Sequence, residues 1–326
     1  MSPIGPLVAG FDGSSRSEDA IELASLLGEL LSVPLFAVCA WTRPALSGPD
    51  DALTKVLREE AERIAGQAAR MARVPVEEAL AVEEAPAPRA LARVAAERAA
   101  GLVVVGSSHR GALGRVLVGS VPERLLHDGE NAVAVAPAGF VTGEPPRLRS
   151  VGVGFDGGPE SYPALALGVV LARAARVPLR VIGVVGTRLA GLVPAALSSM
   201  PHAAHLVAIE EREREAVRAT VAQLRDIEVI AEPRFGEPVS SLTARSRELS
   251  LLVLGSHAYG GLRRLLHGSV STELTRASAC PLIVIPPASR LARAARAGEL
   301  ARHAGDPFDG SAHRVAEHAS PTHPGP

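Results

Sequence analysis

The sequence predicts an α/β protein made of two tandem doubly wound parallel-sheet domains. Three observations carry that expectation. The chain has 326 residues, and at roughly 100–200 residues per domain this length divides into about two. The chain repeats itself. Its apolar runs of strand length alternate with stretches of helical period, the pattern of a parallel sheet with helices on both faces.

The repeat has two blocks. LVAGFDGSSRSEDAIELASLLGELLSVPLFAVCAW at 7–41 is answered by VGVGFDGGPESYPALALGVVLARAARVPLRVIGVVG at 151–186. The common skeleton is an apolar run, Phe-Asp-Gly, a helical stretch, Val-Pro-Leu and a second apolar run. LVVVGSSHRGALGRVLVGSVPERLLHDGENAVAVAP at 102–137 is answered by LLVLGSHAYGGLRRLLHGSVSTELTRASACPLIVIP at 251–286. Asp12 recurs 144 positions on as Asp156, whereas Gly106 recurs 149 positions on as Gly255. The difference places a five-residue insertion inside the second copy, in the connection TRLAGLVPAALSSMPHA.

Each copy reads strand, helix, strand, loop, helix, strand, helix, strand, helix, strand. Short Val/Leu/Ile runs that are apolar throughout predict strands buried on both faces, joined by right-handed crossovers. The clearest helix is 53–73, where Leu53, Val56, Leu57, Ile64 and Met71 are expected to share the buried side and the charges to form a solvated face. The Gly/Pro-rich GFVTGEPPRL at 139–148 reads as the junction. The expected organisation is a first domain at 1–140, a linker at 141–148, a second domain at 149–287 and a disordered, flexible tail at 288–326, in which SRLARAARAGELARHAG offers one short Ala/Arg helix before a polar end.

Composition removes several classes of function. Lys+Arg 34 against Asp+Glu 35 leaves no global field for polyphosphate or an anionic membrane, and 3% aromatic content supplies no stacking platform. No nucleic-acid and no membrane partner is expected. The single lysine, Lys55, follows no glycine-rich loop, which excludes a Walker A site. Cys39 and Cys280 alone make neither a disulfide framework nor a zinc site, and they point to the reducing cytoplasm. His202 and His205 read as a solvated pair, and the tail histidines His303, His313, His318 and His323 lack partner cysteines, so no metal site is assigned. No hydrolase elbow, zinc-protease or dinucleotide fingerprint is present, and no catalytic residue is assigned.

The residues that can carry chemistry sit where ligands bind in such sheets, outside the carboxyl ends of the strands at the switch point. Asp12 and Asp156 follow the first strand of each copy, Gly106 and Gly255 the fourth, and Gly119-Ser120 and Gly268-Ser269 precede a helix. Glycine turns and helix N-termini together can cradle phosphate without lysine. Each feature also has a structural role: Ser120-Val-Pro-Glu123 is a capping box, and Asp-Gly is a turn dipeptide.

These residues resemble the universal stress protein family in its two-domain actinobacterial form, over about residues 4–287. The family signature is Gly, two residues, Gly, nine residues, Gly, then Ser or Thr. Here it reads Gly106-Ser-Ser-His109, nine residues, Gly119-Ser120, and Gly255-Ser-His-Ala258, nine residues, Gly268-Ser269. Spacing is kept, while His109 and Ala258 replace the second glycine. The resemblance implies Rossmann-like domains of the adenine nucleotide alpha hydrolase-like type, ATP with Mg²⁺ as cofactor, acidic contacts from Asp12 and Asp156, and adenine contacts from Ala40 and Val184. It also extends the cradles to Val121 and Val270. The second copy is expected to be the better binder, because Gly260-Gly261 loosens its turn and Val184 offers more apolar surface than Ala40.

Three functions follow as expectations. The first is a cytoplasmic stress-response protein that binds adenine nucleotide and acts as a regulatory or protective binding module, its occupancy altering association with an unknown protein partner. The second is a non-nucleotide-binding interaction module working as an intrachain pseudo-dimer, with AVAVAP and LIVIP as functional edges; by resemblance those edges pair with each other, and a homodimer is a further expectation. The third is a very slow ATPase using water oriented by Asp12 or His109.

Overall fold

A computed structural model describes residues 2–107, 121–141, 143–186, 215, 224, 227–256 and 270–300. The first copy runs β1 (Leu7–Gly10), α1 (Ser15–Leu31), β2 (Leu35–Trp41), α2 (Ala52–Met71), β3 (Val76–Glu83), α3 (Ala87–Glu97), β4 (Leu102–Gly106), α4 (Val121–Asp128) and β5 (Ala132–Ala136). The second runs β6 (Val151–Gly154), α5 (Tyr162–Ala175), β7 (Leu179–Gly186), β8 (Val229–Gly236), α6 (Pro238–Ser246), β9 (Leu251–Gly255), α7 (Val270–Ala277) and β10 (Leu282–Ile285). A final helix, α8 (Arg290–Arg296), follows. The insertion expected in the second copy lies outside the described residues.

Among the described residues ten strands form one sheet in the order β3-β2-β1-β4-β5-β10-β9-β6-β7-β8. Within each copy the pairing is parallel, as fully apolar runs such as Leu102–Gly106 demand. The copies meet where β5 and β10 pair antiparallel, with Val133 opposite Val284, Ala134 opposite Ile283 and Val135 opposite Leu282. That is the intrachain pairing expected of the pseudo-dimer.

The core continues across the junction. α1 and α5 are apolar on most sides, as helices buried between other elements must be. They belong to one cluster that runs from Leu7 and Leu27 through Ala134 to Leu171 and Ile283. On the other face each copy has its own cluster, around Val94 and Leu125 in the first and around Leu242 and Leu274 in the second, and Leu126 of α4 touches both. Arg276 of α7 donates from Nε to Oε1 of Glu123 of α4 at 2.5 Å, adding a charged link between copies. On α1, the buried Asp19 accepts the backbone N–H groups of Gly139 and Val141, both at 2.9 Å, and so holds the chain as it leaves the first copy.

Two expectations change. In α2 the buried stripe is Thr54, Ala61, Ala65 and Ala68, while Leu53 and Val56 are 54% and 59% exposed. Alanines at this spacing bring the helix backbone close to β2 and β3, which leaves no room for the larger side chains on that face. The segment after Pro287 does not begin as a flexible tail: Ser289 caps α8 through Ala292 N–H, and Leu291, Ala292 and Leu300 are buried in the shared core. Residues 301–326 lie outside the described residues.

The two outer strands are charged. β3 exposes Glu77 and Glu78, and β8 carries Glu232 and Arg234, which disfavours pairing of either edge with another strand. Among the described residues no helix is long and apolar enough to cross a membrane.

Candidate functional site

Each copy has a topological switch point, termed here its crevice, outside the carboxyl ends of its central strands, β1 and β4 in the first and β6 and β9 in the second. These strands lie side by side while their outgoing helices go to opposite faces, which is the switch-point geometry of ligand sites in open α/β sheets.

The floor of the first crevice is an Asp turn. Asp12 Oδ1 accepts from Ser14 N at 3.0 Å and from Ser14 Oγ at 2.6 Å, Gly13 takes a φ of +81°, and Ser14 caps α1 by accepting from Ser17 N at 3.3 Å. The second crevice repeats the turn: Asp156 Oδ1 accepts from Gly158 N at 2.9 Å and Gly157 takes a φ of +76°. The turn role foreseen for Asp-Gly is therefore present in both copies. Both aspartates are exposed, and a carboxylate oxygen held by local donors is fixed in orientation.

Gly106 and Gly255 close the crevices from the other side. A Cβ on Gly106 would lie 2.1 Å from the backbone oxygen of Arg16, and one on Gly255 would lie 2.0 Å from that of Glu160. Only glycine permits the fourth strand to end so close to the first turn of the neighbouring helix. Beyond it, Ser107 N–H donates to Ala136 O at 2.9 Å and Ser256 N–H to Ile285 O at 3.1 Å, so the chain leaves the fourth strand of each copy through the equivalent hydrogen bond.

Ala40, near the end of β2, and Val121, at the start of α4, pack against the same cluster; Val184 and Val270 pack against its counterpart in the second copy. α4 and α7 begin one residue after the Gly-Ser pairs, where the pattern puts a helix. His109, Gly119, Ser120, Ala258, Gly268 and Ser269 lie outside the described residues. Glu123 of the predicted capping box reaches Arg276.

Sequence reading missed three features. One is the pair Arg16 and Glu160, equivalent residues on the two glycine-facing turns; the offset of 144 was the signal. Another is an open cleft of about 510 Å³ beyond the ends of β2 and β3, lined by Thr42, Arg43, Pro44, Ser47, Glu83 and Glu84, with Arg43 and Glu83 ion-paired at 3.0 Å. The third is a charged cluster on β7, β8 and α6. Glu232 accepts from Arg180 Nη1 at 2.6 Å and from Arg245 Nη2 at 2.5 Å. Burial alone would raise the Glu232 carboxyl, but the hydrogen bonds from Arg245 and Arg180 outweigh it and hold the group below its ordinary value.

Neither thiol is poised for chemistry. Burial, with Asp12 and Glu60 nearby, pushes Cys39 up to about 11, and burial pushes Cys280 up to about 11. Both stay protonated near neutrality, and a thiol is a poor nucleophile. Among the described residues no group of three or more His, Cys, Asp or Glu is placed to hold a metal ion.

Two doubly wound halves joined edge to edge, with an equivalent crevice in each, define a tandem α/β protein with duplicated candidate ligand sites. The model of the Universal stress protein family matches residues 4–137 and 147–286, and the chain belongs to that family. It is 26% identical over 297 residues to a universal stress protein of Mycolicibacterium smegmatis, covering 86% of this chain and 97% of that one. It is 28% identical over 289 residues to one from Mycobacterium tuberculosis, covering 85% and 96%. In fold it is similar to a universal stress protein from Archaeoglobus fulgidus (TM-score 0.58, 20% identity, 87% and 96% covered) and to a functionally unknown protein from Pseudomonas aeruginosa (TM-score 0.60, 17% identity, 90% and 96% covered).

Proposed function

We propose that this chain is a stress-response protein that binds adenine nucleotide, ATP brought in with Mg²⁺, and that occupancy alters its association with a protein partner. The observation that carries the reading is the duplicated crevice: an oriented Asp on one wall and a strand-ending glycine pressed against the turn that leads into a helix on the other, repeated in both copies. In this reading Asp12 and Asp156 supply the acidic contacts to the nucleotide. Ala40 with Val121, and Val184 with Val270, offer apolar contact to a base. The segments from Gly106 to Ser120 and from Gly255 to Ser269 have the spacing to wrap phosphates. His109 and Ala258 stand within those segments. Binding needs no catalysis to have an effect, because a ligand that prefers one conformation shifts the population towards it.

The alternative, a non-nucleotide-binding interaction module working as an intrachain pseudo-dimer, is supported by the antiparallel pairing of AVAVAP with LIVIP within the chain, and a melting temperature unchanged by ATP would favour it. Calorimetric titration of the full chain with ATP and Mg²⁺ tests the proposal. The double variant Asp12→Ala, Asp156→Ala is expected to lose at least about tenfold in affinity, the worth of a hydrogen bond to a charged group, with its circular dichroism unchanged. Retained affinity in a folded double variant would move the site elsewhere.

A further inference from the structure

The outer flank of the second copy is charged where that of the first is apolar. In the first copy Phe36 of β2, Leu80 of β3 and Val94 of α3 pack in one apolar cluster. Their counterparts are Arg180 of β7, Glu232 of β8 and Arg245 of α6. Arg180 stands 144 positions after Phe36, the offset of the Asp turns. Leu80 pairs with Val38, and Glu232 pairs with Ile182, which is Val38 repeated at the same offset. Leu91 lies against Gly10 and Leu242 against the equivalent Gly154, and Val94 and Arg245 follow these leucines by one helical turn.

Glu232 is the carboxylate at the centre of the charged set. Its side chain is 10% exposed and that of Arg245 11%. Its Oε1 accepts from both Arg180 and Arg245, while its Oε2, Arg180 Nε and Arg245 Nε are buried without a hydrogen-bond partner. Facing it among the described residues are Arg180 from β7, Arg234 from its own strand with Nη2 3.6 Å from Oε2, and Arg245 from α6. The exposed Glu248 pairs with Arg245. Uncharging Glu232 therefore leaves two guanidinium groups at a shielded site without the carboxylate they share, and breaking a buried pair on one side is strongly destabilising. β8 is an edge strand that pairs with β7, so the loss falls on an element with few other holds.

We propose that β8 and α6 form an acid-released flank: protonation of Glu232 detaches them from β7, while β3 and α3, the same elements of the first copy, stay in place. Burial raises the Glu232 carboxyl, and the hydrogen bonds from Arg245 and Arg180 overcome it and hold the group below its ordinary 4.5. A carboxyl depressed on folding contributes stability above its unfolded value and loses it as pH falls through its folded value. The flank is thus held at neutral pH and opens below 4.5. In the first copy Glu78 and Glu84 pair with Arg98 and Arg93 at the surface, where such pairs contribute little, and the apolar packing beneath does not titrate.

The test is hydrogen–deuterium exchange of the full chain from pH 7 to pH 3.5, read peptide by peptide by mass spectrometry and normalised to the intrinsic exchange rate at each pH. Residues 229–246 are expected to exchange about tenfold faster or more once Glu232 is uncharged, a lower bound for a buried pair broken on one side, while residues 76–97 keep their protection. Glu232→Gln should show the same loss already at pH 7. The triple variant Arg180→Phe, Glu232→Leu, Arg245→Val installs the first copy's residues and should keep 229–246 protected at every pH, since apolar groups of similar volume replace buried ion clusters without loss. Equal loss in both flanks, protection over 229–246 unchanged down to pH 3.5, or a triple variant that still opens with acid overturns the proposal. If Glu232→Gln does not fold, the unaltered chain and the triple variant decide by the same readings.

Discussion

Gly106 and Gly255 show how much one hydrogen atom in place of a methyl group decides. Gly106→Ala puts Cβ 2.1 Å from the Arg16 carbonyl oxygen, a backbone atom that moves only if α1 moves. We expect a loss of about 2 kcal/mol, in the range of overpacking, measured by chemical denaturation. Cys39 should behave oppositely to a reactive site thiol: with its value raised to about 11, labelling by a thiol reagent stays slow at pH 7–8 and accelerates only as pH rises towards that value. Much of this scale was legible in the sequence. The Asp-Gly turns and strand-ending glycines stood out because they recur. Arg16 and Glu160 did not, because neither is a motif residue and their meaning depends on a packing contact across the sheet.

Among the elements, α2 and the β7/β8/α6 region departed most from expectation. In α2 the sequence pattern was weighed by side-chain size, but close helix-to-sheet packing is made by Ala61, Ala65 and Ala68, and the larger Leu53 and Val56 face water. Leu53→Lys is therefore expected to change stability by under about 0.5 kcal/mol, whereas Ala65→Leu should cost about 1–3 kcal/mol, both read from denaturation midpoints. Strands apolar throughout were readable as buried. The edge strands β3 and β8 were not, because their charges satisfy an edge rather than a core. In β8, Glu232 is held below its ordinary 4.5 by Arg245 and Arg180 against the opposing cost of burial. A carboxyl depressed in the folded state contributes stability that is present above its unfolded value and disappears as pH falls through its folded value. The difference in stability between the unaltered chain and Glu232→Gln, about 3 kcal/mol at pH 7 for a largely buried pair broken on one side, should shrink below pH 4.5.

At the scale of the whole molecule, the two copies form one sheet and share one core face, so neither is a separate body on a tether. The antiparallel β5–β10 ladder, the α1–α5 cluster and the Glu123–Arg276 pair join them, and Asp19 fastens the chain that links them. The repeat made the duplicated fold legible, and the family resemblance supplied the pairing of the two halves. The docking of α8 was hidden, because an Ala/Arg segment of this length has little intrinsic helical stability and forms through Leu291 and Leu300 meeting a core built elsewhere. The central proposal is that this scaffold binds an adenine nucleotide at its duplicated crevices. The most direct measurement is mass spectrometry of the small molecules released on denaturing protein purified without added nucleotide, with the amount counted per chain. The proposal predicts an adenine nucleotide carrying phosphate at one or two per chain, and its loss in the double variant Asp12→Ala, Asp156→Ala. A preparation that releases none and then takes up no ATP when ATP and Mg²⁺ are supplied would contradict it.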